Sequence, residues 1–288
     1  MINKIIIDPS IEDAIKRALD EDIRNGDITT TAIFNDGICA DGYFLVKENG
    51  IIAGLEVVQK VLELVDDSIK FESDFVNGQN VKSGIIVANI SGKASSLLTA
   101  ERTALNFFQR MSGIATLTNQ YVELIKHTKA KLLDTRKTMP GLRMLDKLSV
   151  MYGGGKNHRI GLFDMFLIKD NHISVAGSIT SAVKKCMEYK INNKLDTKIE
   201  VEVSSINQIE EAISSGADII MLDNFDLDSL NKAVNIIANR CITEASGGVN
   251  LSTIKSIAET GVDFISVGAI THSVKALDIS LELDLKQN

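Results

Sequence analysis

Apolar positions along the chain change their period near residue 130. In residues 10–20 (SIEDAIKRALD), Ile11, Ala14, Ile15, Ala18 and Leu19 recur at helical spacing behind Ser10, a residue type that caps helix N-termini, so a helix is expected there. The segments GYFLVKENG, IIAG, SIKFESDF and GIIVANISG are short, β-branched or aromatic, and punctuated by Gly and Asn, which is the chemistry of strands and turns. A helix from Ser96 to about Met111 closes this half, with Leu97, Ala104, Phe108 and Met111 on one stripe. Arg102 lies on the flank of that stripe, where a long side chain can leave its own core. Residues 1–112 therefore read as an α+β unit.

Beyond residue 130, short apolar strands alternate with helix-length segments: KLLDT (131–135), MFLIK (165–169), IEVEV (199–203), IIMLD (219–223), CITEA (241–245) and FISVG (264–268). Two stretches, EEAISSGADIIMLDN and SIAETGVDFISVGA, repeat one pattern of helix, Gly C-cap and buried strand. Apolar strands alternating with helices imply a parallel sheet covered by helices. Polar groups collect at the strand ends, namely Thr135 and Arg136, Lys169 and Asp170, Glu202, Asp223, Glu244 with Ser246, and Gly268. That is how an α/β barrel builds a site. Six legible strands are fewer than the eight of a complete barrel, so an open, incomplete barrel is expected. No GxGxxG follows a strand and opens a helix, which disfavours a dinucleotide fold.

Charge sharpens this picture. With 31 Lys plus Arg against 38 Asp plus Glu, the formal net charge of the 288-residue chain is −7, which disfavours a surface for nucleic acid or anionic lipid. Three scattered cysteines show no CxxC spacing, and no apolar stretch approaches the ~20 residues of a membrane span; the run Ile5–Ile7 before Asp8 is too short for a signal. A reducing cytoplasm is the expected setting.

The exception to the acidic balance is Asp134 to His172, DTRKTMPGLRMLDKLSVMYGGGKNHRIGLFDMFLIKDNH, with seven Lys or Arg against four Asp. Arg grips carboxylate or phosphate in bidentate fashion and Lys acts as a point charge, so this segment suits small anions. A solvated basic helix is the alternative, but the charges are interleaved with Pro140, Gly141 and Gly153 to Gly155 rather than set at helical period. The three glycines permit either close approach to a ligand or a loop conformation closed to other residues. Ser246, Gly247 and Gly248, and Gly268 with Ala269, follow the last two strands, where barrels seat phosphates on backbone N–H groups. Glu202 and Asp223 can hold sugar hydroxyls or a Mg²⁺ ion, or cap helices and pair with lysines. Glu200 alternates with Glu202 on one strand face, and spacing does not say which is the ligand. His158 and His172 flank the cluster as donors or as structural histidines. No HxxxH or HxH pair suggests zinc.

The runs LLDTRKTMPGLR, GGGKNHRIGLFDMFLIKDNH, EVEV, MLDNF, EASGGV and GVDFISVGAITHS, with EDIRNGDITT and ERTALNFFQRMSGIAT upstream, resemble the quinolinate phosphoribosyltransferase family in order over nearly the whole chain. The resemblance implies an N-terminal α/β sandwich domain (1–112, completed by about 273–288) and an open α/β barrel of TIM-like topology (113–272). It implies transfer of ribose 5-phosphate from phosphoribosyl pyrophosphate to quinolinate with loss of pyrophosphate and CO₂, giving nicotinate mononucleotide for NAD synthesis. Arg136, Lys137, His158, Arg159 and Lys169 would surround the dicarboxylate beside Thr135, with Arg102 reaching in from the second subunit of a homodimer or higher even-numbered homo-oligomer. Glu202 and Asp223 would serve the ribose and Mg²⁺, and Ser246, Gly247, Gly248, Val267, Gly268 and Ala269 the 5-phosphate. Lys137, Lys169, Glu202 and Asp223 would be catalytic. Met139, Asp146, Leu148 and Lys156 depart from the family pattern, none at an implied contact. A molybdenum-uptake homologue and a barrel lyase using Lys169 as a Schiff base are the alternatives.

Overall fold

The computed structural model describes residues 8–34 and 38–285, so the apolar run Ile5–Ile7 lies outside the described residues. In chain order the first elements are α1 (Pro9–Ile23), α2 (Ile28–Ile33), β1 (Cys39–Val46), β2 (Gly50–Ile51), α3 (Leu55–Val65), β3 (Lys70–Glu72), β4 (Asn80–Val81), β5 (Ile86–Lys93) and α4 (Ala94–Ile125). They are followed by β6 (Lys131–Leu133), α5 (Arg143–Tyr152), β7 (Phe166–Ile168), α6 (Asp170–Ala176), α7 (Ile179–Asn192), β8 (Ile199–Val203), α8 (Ile209–Ser214) and β9 (Ile219–Asp223). The chain ends with α9 (Leu227–Ile237), β10 (Ile242–Ser246), α10 (Ile254–Glu259), β11 (Phe264–Ser266), α11 (Ala269–His272) and β12 (Ile279–Leu285). Two compact units result: Met1–Asn119 with Thr138–Gly154 and Thr271–Asn288, and Gln120–Lys137 with Gly155–Ile270.

In the first unit an antiparallel sheet runs β12-β1-β5-β3, with the late strand β12 paired to β1 so that Leu281 faces Phe44. Its core holds Ile11, Ile15, Phe44, Leu62, Leu97 and Phe108, and the Phe44 and Phe108 rings meet edge-on at 5.8 Å. α1 starts earlier than Ser10: Pro9 occupies the first turn, and Asp8 is the cap, accepting the Ser10 N–H at 2.8 Å. α4 does not stop near Met111. Gly113 lies within it, where a Cβ would collide with the Lys275 carbonyl, so this glycine permits close packing instead of ending the helix.

Residues 138–154 cluster with the first unit and not with the parallel strands that flank them in sequence. The reason is local: Leu145 of α5 is in the first unit's core, and Leu142, Met144, Leu148 and Tyr152 pack against it. Buried Asp146 accepts Arg110 at 3.0 and 2.8 Å as well as the Met139 N–H at 3.0 Å. Gly153 approaches α4 so closely that a Cβ would sit 2.5 Å from the Ala115 carbonyl and 2.6 Å from Thr118. The first glycine of the triplet thus serves helix packing.

The second unit is one parallel six-stranded sheet in the order β6-β11-β10-β9-β8-β7. That is the sequential order of a barrel, left open between β6 and β7. α7 packs on β7 and β8, α9 on β10 and α10 on β11. Among the described residues no helix is long and apolar enough to cross a membrane.

Asp66, the C-cap of α3, accepts hydrogen bonds from the Ser68 hydroxyl at 2.6 Å, the Ser96 hydroxyl at 2.7 Å and the Ser68 N–H at 3.0 Å. These bonds favour its ionised form and hold its pKa down at about 2, against 3.8 for an ordinary aspartate. A depressed carboxylate stabilises the fold above its unfolded pKa and loses that contribution as pH falls through its folded one. Asp66→Asn should therefore lower Tm at pH 7 by roughly 2–4 °C, about 1 kcal/mol. The gap to the parent protein should persist down to about pH 4 and close between pH 3.8 and 2 in thermal melts. A gap that is unchanged at pH 2 would contradict this.

Candidate active site

The parallel register of the second unit decides which side chains share its inner face. Glu202 pairs with Met221, and Met221 with Glu244, so the three stand in one row; Ser246 pairs with Asp223 one row higher. Extending the β7–β8 register by one residue beyond Ile168 and Val201 brings Lys169 beside Glu202. The Lys169 ammonium is ion-paired with the Glu202 carboxylate. Strand period alone puts Glu200 on the same face, one row deeper. It is fully buried, while Glu202 lines the cavity.

At the strand ends a cavity of about 270 Å³ is lined by Thr135, Arg136, Lys137, His158, Arg159 and Lys169, and by Glu202, Asp223, Glu244 and Ser246. Leu167, Met221 and Ser266 complete it. Burial, with the charge of neighbouring Arg136, pushes the Arg159 guanidinium below its ordinary pKa, a sign of how closely these cations are gathered. Thr135 Oγ1 accepts the Lys137 N–H at 3.0 Å, which shapes the turn after β6. Asp223 Oδ2 accepts the Asn224 side-chain amide at 2.8 Å.

Two of the lining residues, His158 and Glu244, form a buried trio with Glu200. His158 Nε2 is 3.0 Å from Glu200 Oε2 and 3.5 Å from Glu244 Oε2, and both carboxylates are almost wholly inaccessible. Their second oxygens, with Ser266 Oγ, have no hydrogen-bond partner among the described residues. Burial, joined by the charge of Glu244, pushes the Glu200 carboxyl up to about 7. Burial opposes charging His158 while both carboxylates favour it. A second ring proton has no place to go, however, because Nδ1 already accepts the Arg159 N–H at 2.8 Å. The extra proton of the trio therefore belongs to Glu200, the carboxyl that burial pushes up. The same contact argues against a metal here, since a histidine bound through Nε2 carries its proton on Nδ1.

Of the residues singled out from sequence, Thr135, Arg136, Lys137, His158, Arg159, Lys169, Glu202, Asp223 and Ser246 are brought together in this cavity. Gly247, Gly248, Val267, Gly268 and Ala269 do not line it; they continue from Ser246 and Ser266, which do. Gly247 has φ +92°, and a Cβ there would collide with the Asn224 side chain, so only glycine fits this turn. Arg102 is exposed on α4 and makes no ion pair among the described residues. The basic segment itself divides: Arg143 hydrogen-bonds Thr138 at 3.1 Å and Lys147 is buried, both in the first unit. Glu244 and Ser266 were not singled out as ligands. Glu244 stood in the strand-end pattern, whereas Ser266 carries no signal beyond the alternation of a three-residue strand.

A model of the quinolinate phosphoribosyl transferase N-terminal domain matches residues 27–112, and one of the C-terminal domain matches residues 114–282. Quinolinate phosphoribosyltransferase [decarboxylating] 2b, mitochondrial, of Nicotiana tabacum is 45% identical, the match covering 95% of this chain and 82% of that protein. The probable nicotinate-nucleotide pyrophosphorylase [carboxylating] of Bacillus subtilis is 41% identical over 92% of this chain and 90% of its own. The crystal structure of NadC from Streptococcus pyogenes superposes with a TM-score of 0.91 at 41% identity, covering 96% of this chain and 97% of that one. The molybdenum-uptake and Schiff-base lyase alternatives find no support in these matches. With both domain models in order along one sheet-and-open-barrel fold, the chain belongs to the quinolinate phosphoribosyltransferase family.

Proposed function

We propose that the chain transfers the ribose 5-phosphate of phosphoribosyl pyrophosphate to the ring nitrogen of quinolinate and releases pyrophosphate and CO₂, leaving nicotinate mononucleotide. The observation that carries this reading is a single cavity in which Arg136, Lys137, Arg159 and Lys169 face Glu202 and Asp223. A planar dicarboxylate matches paired guanidinium forks, each charge-assisted bond contributing roughly 1.5–3 kcal/mol. The ring nitrogen attacks ribose C1 as the C1–O bond to pyrophosphate breaks. Departure of CO₂ then leaves an electron pair on ring C2, which takes up a proton. Lys137 and Lys169 offset the negative charge of both steps, and Glu202 and Asp223 face the ribose. The loops Ser246–Gly248 and Val267–Ala269 are assigned to the 5-phosphate.

Mg²⁺ fits this arrangement best at Asp223. Its Oδ1 has no partner among the described residues, whereas Glu202 is engaged by Lys169. A magnesium ion holding one carboxylate and several waters would neutralise the pyrophosphate that leaves.

We also infer a homo-oligomer of at least two subunits with shared sites. Leu162, Phe163 and Val175 are 73%, 78% and 89% exposed and line an apolar groove beside Arg159 and His172. Exposed apolar surface of this kind calls for a covering partner, and exposed Arg102 is the residue assigned to the neighbouring site. Free cysteines, Cys39 among them exposed, agree with a reducing cytoplasm; the plant relative named above carries an organellar name.

Incubation with quinolinate, phosphoribosyl pyrophosphate and Mg²⁺ should yield nicotinate mononucleotide, pyrophosphate and CO₂ in equal amounts, and Lys169→Ala should lower kcat/KM on the order of a hundredfold. No product from folded protein would refute the reading. Arg102→Ala and Arg159→Ala should each be inactive. Mixed and allowed to exchange subunits as a dimer, they should recover about one quarter of wild-type activity. No recovery, with exchange demonstrated, would refute site sharing.

A further inference from the structure

Both histidines of the basic segment use Nδ1 in the same manner. His158 Nδ1 accepts the main-chain N–H of Arg159 at 2.8 Å, and His172 Nδ1 accepts the main-chain N–H of Lys169 at 3.0 Å. Each acceptor thus faces the backbone of a cavity cation. We propose that His158 and His172 are positioning residues that hold Arg159 and Lys169 by their main chain, and that His158 does not bind the dicarboxylate through a ring nitrogen. The inference rests on the reading of Arg159 and Lys169 as ligands of the dicarboxylate.

For His158 the geometry is closed at both nitrogens. Nδ1 is taken by the Arg159 amide, so the single ring proton sits on Nε2, where Glu200 Oε2 receives it at 3.0 Å. The His158 N–H donates to buried Asp134 at 2.8 Å, and Arg159 Nη1 donates to the Met165 carbonyl at 3.1 Å. The His158–Arg159 pair is therefore pinned at backbone, ring and guanidinium. Such a tether is needed because Arg136 repels Arg159 before any anion is bound. At His172 the contact closes the first turn of α6 onto Lys169 and leaves the lysine side chain on Glu202.

Asparagine and glutamine separate the two ring nitrogens as test substitutions. The Asn Oδ1 stands where Nδ1 does and keeps an acceptor for the following N–H; Gln places its amide near Nε2 and loses that acceptor. The experiment measures binding of benzene-1,2-dicarboxylate, an unreactive dianion of the same shape, by calorimetry, with quinolinate KM and kcat and the KM for phosphoribosyl pyrophosphate in the same samples. His158→Gln and His172→Gln should weaken dicarboxylate binding about tenfold and raise quinolinate KM similarly, with kcat and the second KM within about threefold. His172→Asn should stay within about threefold of the parent protein, and His158→Asn, which keeps the Nδ1 contact but gives up the bond to Glu200, should lose less affinity than His158→Gln. In the inactive Arg159→Ala background, where dicarboxylate binding alone is read, His158→Gln should cost no further affinity, since its effect passes through Arg159.

Equal losses for His158→Gln in both backgrounds would overturn the inference and assign His158 a direct contact. Gln variants that bind better than Asn variants would also overturn it. If the parent protein fails to bind the dicarboxylate at all, the proposed function fails first and this inference with it. An unchanged KM for phosphoribosyl pyrophosphate distinguishes a displaced cation from an unfolded chain.

Discussion

Four cationic side chains confined in a cavity of about 270 Å³ repel one another, and every other feature of this site follows from holding them there. The strain is visible at Arg159, whose guanidinium is discouraged by burial and by Arg136. Opposing charge comes from the inner face of the parallel sheet: Glu202 takes Lys169, while Glu244 in the same row and Glu200 one row deeper flank His158. What remains is fixed by the backbone, through Thr135 under Lys137, His158 under Arg159 and His172 under Lys169. A site assembled in this way has already met the cost of gathering charge when its anion arrives, which is the general condition for electrostatic catalysis.

The architecture was legible because its signals are local. Apolar strands alternating with helices announce a parallel sheet, and the number of legible strands announces that it does not close. Polar residues at strand ends foretold seven of the cavity's residues, Thr135, Arg136, Lys169, Glu202, Asp223, Glu244 and Ser246, and the basic segment supplied Lys137, His158 and Arg159. The choice between Glu200 and Glu202 was not legible, since both share one face and only the height of the strand within the sheet separates a buried carboxylate from one that lines the cavity. Nor was the division of the basic segment. Arg143, Asp146 and Lys147 look like neighbours of Arg136 in sequence, yet Leu145 commits their helix to the core of the first unit. Gly113 and Gly153 show the same limit. Each looks like an interruption, and each marks a close approach to residues distant in sequence.

The opening of the six-stranded sheet bears on behaviour in concentrated solution. A closed barrel exposes no strand edge, whereas this sheet leaves β6 and β7 without each other as partners. Free edges are templates for pairing with other chains and so for aggregation. Here both strands are only three residues long, and the outer side of β6 is partly taken by Lys156, which bridges to Leu133 and exchanges backbone hydrogen bonds with Leu132 and Asp134 at 2.9 and 3.1 Å. Short edges, one of them occupied by a lysine, let the sheet stay open for a ligand without becoming a nucleus for intermolecular β-structure.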